Sequence, residues 1–287
     1  MDILKQSVIE AGRELCRLGL IARTWGNVSV RTDEDHFAIT ASGREYEDLT
    51  ENEIVTVNLK DLSHEGSIMP SGEKKVHQQI YKLRPDAGFV IHTHQIYASA
   101  VSAMGLEQVR LTAGYPGLEL SVPCAGYGLP GSEKVAKGIA KVLRLSNSKA
   151  ILMSNHGAVC FGRDRDEAFE AVLSLEDACR DYLRNTGIMG ELADDPVKAW
   201  PRKRIGVYLD DFAQMFGTRL SLRNYNPQTV ADKYGEDAEA VEMVVYKNCL
   251  AGLAAVTAGR GTVRKHECMY MRRVYKKRYS KLKSMRV

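Results

Sequence analysis

The sequence predicts an α/β layered domain followed by a helical, strongly basic C-terminal extension. Three observations carry that expectation. Short apolar, β-branched runs at 87–94 and 150–154 have the length and composition of buried strands. Segments with helical spacing of apolar residues alternate with them, notably 3–18, 134–143 and 165–184. Charge is also unevenly divided. The net charge is +4, yet residues 260–287 hold eleven Lys/Arg and one acid, Glu267, which leaves −6 for the preceding 259 residues.

Along the chain, Ile3, Val8, Ile9, Leu15 and Leu18 form one helical stripe, and Gly19 supplies a stop signal. Strand-like stretches follow at 27–31, 36–40 and 53–58. The spacing predicts a helix over 71–83, with Ser71 as its N-cap and Pro85 beyond its end. Strand 87–94, helix 134–143, strand 150–154 and helix 165–184 complete the layered pattern. Near 187–203 the periodicity weakens, and Pro196 and Pro201 interrupt it. The expected division is therefore a main domain over 1–195 and an extension over 196–287, within which 237–256 and 263–285 read as helices.

A hydrophobic fraction of 44% with 26% charged residues excludes wholesale disorder. No uninterrupted apolar run approaches the roughly 20 residues that span a bilayer, so no membrane span is expected. Acids among the apolar residues of the first helix argue against a signal peptide. Six scattered cysteines without C-x-x-C spacing fit reduced thiols in a cytoplasmic chain. An acidic body with a basic tail is also unlike a uniformly basic nucleic-acid binder.

Four small constellations could carry chemistry. His92 and His94 flank Thr93 in an expected strand, where residues two apart share a face. His156 ends a second strand, beside Gly157. Three histidines at the ends of two buried strands suit a transition metal with an open coordination position, although separately satisfied polar residues would read the same way. In Pro70-Ser71-Gly72-Glu73, a free helix N-terminus could take a phosphate and hold a carboxylate near it, but an ordinary capped helix start uses the same residues. Gly26-Asn27-Val28-Ser29 and Thr40-Ala41-Ser42-Gly43 place glycine and small polar groups at strand ends, as phosphate-binding nests and plain turns both do. His77 lies one turn after Glu73 and suits a supporting or packing role, while His36, His64 and His266 read as surface.

In this order, GNVSVR at 26–31, ITASG at 39–43, MPSGEKKVHQQIY at 69–81, VIHTHQIYA at 90–98, VPCAGYGLPGS at 122–132 and LMSNHGAVCFG at 152–162 resemble the class II aldolase/adducin family, over about residues 3–185. The resemblance implies a three-layer αβα catalytic domain around a central, mainly antiparallel sheet. It makes His92, His94 and His156 ligands of Zn²⁺ or another divalent transition metal, and Glu73 the catalytic acid/base. It assigns phosphate contacts to Asn27, Ser42, Gly43 and Ser71. Gly72 stands where the family's aldolases carry a second serine, so a hydroxyl is lost and a backbone N–H is kept. Tyr115 is a candidate for the tyrosine that aids proton transfer, though its spacing to Val122-Pro123 departs from the family pattern.

The implied activity is cleavage of a ketose 1-phosphate, such as fuculose 1-phosphate, to dihydroxyacetone phosphate and a small aldehyde. The family resemblance also implies a homotetramer with sites at subunit interfaces. Rival readings are an epimerase, dehydratase or decarboxylase of the same family, and, in another class, a non-catalytic adducin-like interaction module. Epimerase members tend to carry Asp where Glu73 stands, and a non-catalytic module need not keep the histidines. For the basic tail the sequence leaves open a solvated helix face, a cationic lid over a neighbouring subunit's site, or a docking helix into a larger assembly such as a bacterial microcompartment, with nucleic acid or an acidic membrane surface behind these.

Overall fold

The computed structural model describes residues 2–21, 24–189 and 195–284, with side chains to residue 277. α1 (Ile3–Arg17) begins where the Asp2 carboxylate accepts the Leu4 N–H at 2.9 Å, which satisfies one free amide of the first turn. It buries Val8, Ile9 and Leu15. Ile3 and Leu18, expected on the same stripe, lie at the helix ends and are exposed.

There follow β1 (Asn27–Arg31), β2 (His36–Thr40), β3 (Ile54–Asn58), α2 (Lys74–Leu83), β4 (Phe89–Thr93), α3 (Ile96–Ser102), β5 (Gln108–Arg110), β6 (Ser121–Ala125), α4 (Glu133–Leu145), β7 (Ala150–Met153), β8 (Gly157–Gly162) and α5 (Arg165–Asn185). The strands form one eight-stranded sheet in the order β3-β2-β1-β4-β8-β7-β6-β5. Only the β6–β7 pair is parallel.

Side-chain alternation makes the three layers. Phe37, Ile39, Val90, Ile151 and Val159 face α2 and α4, where Val76, Ile80, Ile139 and Leu143 meet them. Val28, Val30, Ala38, Phe89, Ile91 and Leu152 face the opposite way, onto α1, α3 and α5. Each fully buried aliphatic side chain in these layers contributes about 1.5–3 kcal/mol of transfer free energy.

Two expectations shift. α2 starts at Lys74 rather than at Ser71, because Glu73 takes the N-cap position and Ser71 Oγ accepts the Glu73 N–H at 3.2 Å. α3, β5, β6 and β8 escaped the periodicity reading; β8 is bounded by Gly157 and Gly162, and α3 is a seven-residue helix without a charged residue to mark a polar face.

The extension contains α6 (Pro196–Ala199), β9 (Arg204–Ile205), α7 (Asp210–Phe216), β10 (Leu220–Ser221), α8 (Pro227–Tyr234), α9 (Ala238–Thr257) and α10 (Lys265–Ser284). Residues 190–194, in the weakly patterned stretch before it, and 285–287, where the last helix was expected to end, lie outside the described residues. The apolar cluster on the α5 side of the sheet runs on without interruption through Phe212, Val244, Leu250 and Tyr275. By length and composition α9 is apolar enough to cross a membrane, although Glu239, Glu242 and Lys247 interrupt its apolar run. Two-thirds of that stretch is buried in the protein, where α9 packs on α3 and presents Lys247 and Asn248 inward. It is the core helix of the extension.

Candidate metal centre

The register of the sheet brings the site together. Asn27 on β1 pairs with His92 on β4, so both side chains stand on the α2 side of the sheet. His94 lies just past the end of β4. His156 sits in the tight turn between β7 and β8, where Asn155 has φ 58° and Gly157 packs against β4 so closely that a Cβ there would stand 2.2 Å from the Thr93 carbonyl oxygen. Glu73, at the head of α2, reaches in from the helix layer.

The ring nitrogens converge. His92 Nε2 stands 3.1 Å from His94 Nε2 and 3.1 Å from His156 Nε2. Glu73 Oε2 is 2.9 Å from His92 Nε2, and its Oε1 is 3.4 Å from His156 Nε2. One atom from each of the four residues fits within a span of 4.8 Å. The three histidines are buried and the Glu73 side chain is 12% exposed.

Hydrogen bonds on the far side of the rings fix two tautomers. His92 Nδ1 is 2.8 Å from the Ala158 carbonyl oxygen, which only accepts, so Nδ1 carries the hydrogen and Nε2 keeps its lone pair. His156 Nδ1 is likewise 2.9 Å from Asp210 Oδ2. When both rings are neutral, their Nε2 lone pairs face each other with no hydrogen between them, and Glu73 Oε1 is buried with no hydrogen-bond partner among the described residues. Three imidazole nitrogens and one carboxylate directed at a common point are a donor set that fits a divalent transition metal.

Charge in the cluster is strongly coupled. Burial works against ionisation of Glu73, but the His92 and His156 rings beside it hold its carboxyl well below the usual range. Burial also opposes a charge on His156, yet Glu73 and Asp210 outweigh it and push that ring up to about 10. His94 falls to about 3, through burial and the two neighbouring imidazoles, against the pull of Asp211.

A recess of about 340 Å³ opens beside the cluster. Asn27, Ser42, Gly43, Ser71 and Gly72 line it together with Glu73, His94 and His156, so nine of the ten residues singled out in the sequence are brought to one place: these eight, and His92 behind them. Asn27 is already engaged: its amide donates to Glu73 Oε2 at 3.2 Å, and its carbonyl oxygen faces His77 Nε2. The tenth residue is placed elsewhere. Tyr115 donates its hydroxyl to Asp181 Oδ2 at 2.7 Å, on α5, and does not line the recess. The loop that carries it is tied to the helix layer, so within one chain Tyr115 does not reach the cluster.

The opposite wall comes from residues the sequence left unassigned. Trp25, Gln214, Tyr270, Met271, Val274 and Tyr275 line it, the last four from α10. The basic C-terminal helix thus lies over the recess of its own chain. Asp210, Asp211 and Lys247 were also missed. Asp211 and Lys247 form a fully buried ion pair, and Lys247 Nζ donates to the His94 carbonyl at 2.8 Å. The adjacent acids at 210–211 resemble an ordinary acidic helix start, and no spacing links them to His94 or His156.

Residues 6–183 match the family model described as the Class II Aldolase and Adducin N-terminal domain. The chain belongs to that family. Among its relatives, the L-fuculose phosphate aldolase of Escherichia coli K12 is 33% identical over 219 residues, covering 76% of this chain and 97% of that protein. A solved L-fuculose 1-phosphate aldolase superposes with a TM-score of 0.61 at 27% identity, over 66% of this chain and 89% of its own. The L-fuculose 1-phosphate aldolase of Glaciozyma antarctica, at 18% identity and a TM-score of 0.52, shares the fold over 91% of this chain and 92% of its own. Family and relatives together support an aldolase-type lyase function, and class II aldolases use a divalent metal. The fold is the expected class II aldolase one, with a mixed central sheet, flanking helices and a helical C-terminal region.

Proposed function

We propose that this chain is a zinc-dependent class II aldolase that cleaves a ketose 1-phosphate of the fuculose 1-phosphate type to dihydroxyacetone phosphate and a small aldehyde. The observation that carries this reading is the convergence of His92, His94 and His156 Nε2 on the Glu73 carboxylate beside a polar recess. In this reading residues 1–195 are the catalytic domain and 196–287 an extension that walls its site, and the enzyme works as a homotetramer on a sugar-phosphate substrate.

Breaking the C3–C4 bond leaves carbanion character on C3, next to the C2 carbonyl. A divalent metal held by the three histidines supplies Lewis-acid stabilisation of the negative charge that builds on the substrate oxygens. Glu73 moves the proton. In cleavage the C4 hydroxyl of the substrate gives up its proton as the C3–C4 bond breaks, and the Glu73 carboxyl, held by the Asn27 amide, gives a proton to C3 and is left as the carboxylate, which removes that proton in synthesis. Ser42 and Ser71 offer hydroxyls, and Gly43 and Gly72 backbone N–H groups, to orient the phosphate. The extension excludes water from the far side, where its Tyr275 stacks on Trp25 of the catalytic domain.

A screen of ketose 1-phosphates, with zinc added or chelated, tests the proposal by following dihydroxyacetone phosphate. Release that depends on metal is the expected result. Absence of release from every ketose 1-phosphate, alongside epimerised or dehydrated product, would replace it with one of the other reactions of this family.

A further inference from the structure

Asp210 lies 27 residues beyond the end of the matched family domain, yet its carboxylate touches the candidate metal cluster. It is completely buried, and both oxygens are used. Oδ2 is 2.9 Å from His156 Nδ1, and Oδ1 accepts the Tyr127 hydroxyl at 3.1 Å. A buried carboxylate is costly to desolvate, so its position has to be enforced by its surroundings.

The surroundings do enforce it. The Asp210 N–H donates to the Asn155 carbonyl at 3.0 Å, and the Asn155 amide donates to the Tyr208 carbonyl at 2.9 Å. The segment before α7 is thereby stitched in both directions to the turn that carries His156. From the other side, Asn248 on α9 accepts the N–H groups of Tyr208 and Leu209 at 2.8 and 3.1 Å and donates to the Gly206 carbonyl at 2.9 Å. The carboxylate therefore meets the imidazole at a place set by two helices of the extension, with little freedom to move.

We propose that Asp210 is a positioning residue for the metal centre: it holds His156 with its hydrogen on Nδ1 and its Nε2 lone pair directed at the cluster, so that the extension completes the site. This rests on the reading of His92, His94 and His156 as metal ligands. A carboxylate behind a ligating imidazole fixes the ring's tautomer and orientation and raises its basicity, and removing such a partner typically weakens metal binding about 10–100-fold. His92 receives the corresponding support from a backbone carbonyl, which no side-chain substitution removes. Among the described residues, His156 Nδ1 has Asp210 as its partner.

The test uses the full-length protein, with zinc affinity measured by chelator competition and ligand geometry by the visible absorption of the cobalt(II)-substituted form. Asp210→Ala is expected to weaken zinc about 10–100-fold and to alter the cobalt spectrum. Asp210→Asn, which keeps size and an acceptor oxygen but not the charge, is expected to fall between it and the parent, with the melting temperature of the metal-free protein little changed. Should the alanine variant fail to fold, the asparagine variant decides. Tyr127→Phe, which removes the other bond to the same carboxylate, is expected to leave the cobalt spectrum as in the parent. His156→Ala separates the two levels of the argument. If it abolishes tight zinc binding while both Asp210 variants bind like the parent, the positioning role is overturned and the ligand assignment stands. If His156→Ala itself binds zinc like the parent, the ligand assignment fails and the role of Asp210 falls with it.

Discussion

Trp25 and Tyr275 stack with ring centroids 6.2 Å apart and planes 15° apart, joining the loop before β1 to the C-terminal helix across the mouth of the recess. Both are more than nine-tenths buried. Within the chain, the apolar face formed by Met271 and Tyr275 closes against α7.

Tyr275→Ala should therefore act on substrate binding as well as on stability. Loss of the aromatic pair alone costs about 0.5–1.5 kcal/mol, and the lost burial adds to it. The expected result is a melting temperature lowered by several degrees and a raised KM for the sugar phosphate. A KM equal to the parent's would show that α10 does not wall the working site.

His92→Ala, His94→Ala and His156→Ala should each strip zinc, read by elemental analysis of the purified protein. His64→Ala, at a half-buried position bridged to Val57 and outside the clustered residues, should keep it. Full zinc in any of the first three would remove that residue from the ligand set.

Glu73→Gln should retain zinc, since the three imidazoles remain, and lose exchange of the C3 proton of dihydroxyacetone phosphate with solvent. The decisive measurement is deuterium incorporation by NMR. General acid–base catalysis of this kind contributes about 10²–10⁴-fold, so exchange should slow by that order. Unchanged exchange would hand the proton transfer to another group.

Gly157→Ala should be poorly tolerated. With its Cβ 2.2 Å from the Thr93 carbonyl oxygen, β8 would have to move off β4 and carry His156 away from His94. Overpacking of this kind typically costs about 1–3 kcal/mol. A thermal melt and a zinc determination should fall together, and wild-type values for both would mean that the strand pair yields without loss.

Glu167 offers a prediction on acid stability. Its carboxylate accepts the Arg163 backbone N–H at 2.6 Å and pairs with Lys149, and these contacts pull it from 4.5 down to about 2. A carboxyl lowered in the folded state adds stability that is present above its unfolded value and is lost as pH falls through the folded one. Glu167→Gln should be less stable than the parent at neutral pH, and the difference should shrink between pH 4.5 and 2. Denaturant unfolding at a series of pH values would show it, and a difference that does not change with pH would assign the effect to packing.

Much of the fold was legible because alternation and helical spacing are local. β1 and β2 were read with the observed limits, and α5 to within one residue. The ordered motifs likewise led to His92, His94, His156 and Glu73, which the structure places within 4.8 Å. The elements that escaped were those whose residues have no period of their own. Gly157–Gly162 is a strand because β4 and β7 flank it on both sides, and Ile96–Ser102 is a helix whose small residues pack between α5 and α9.

By itself, the sequence determined the layered α/β class, the histidine and carboxylate set, and the division between an acidic body and a basic end, because each depends on residue type or short spacing. Only the tertiary structure decided what stands behind and above that set. Asp210 reaches His156 across 54 residues, Lys247 reaches the His94 carbonyl across 153, and Tyr275 meets Trp25 from the last helix. No local pattern encodes these pairings. They exist because the apolar faces of α7, α9 and α10 have one shared core in which to be buried, and burying them there carries their few polar side chains to the candidate metal site.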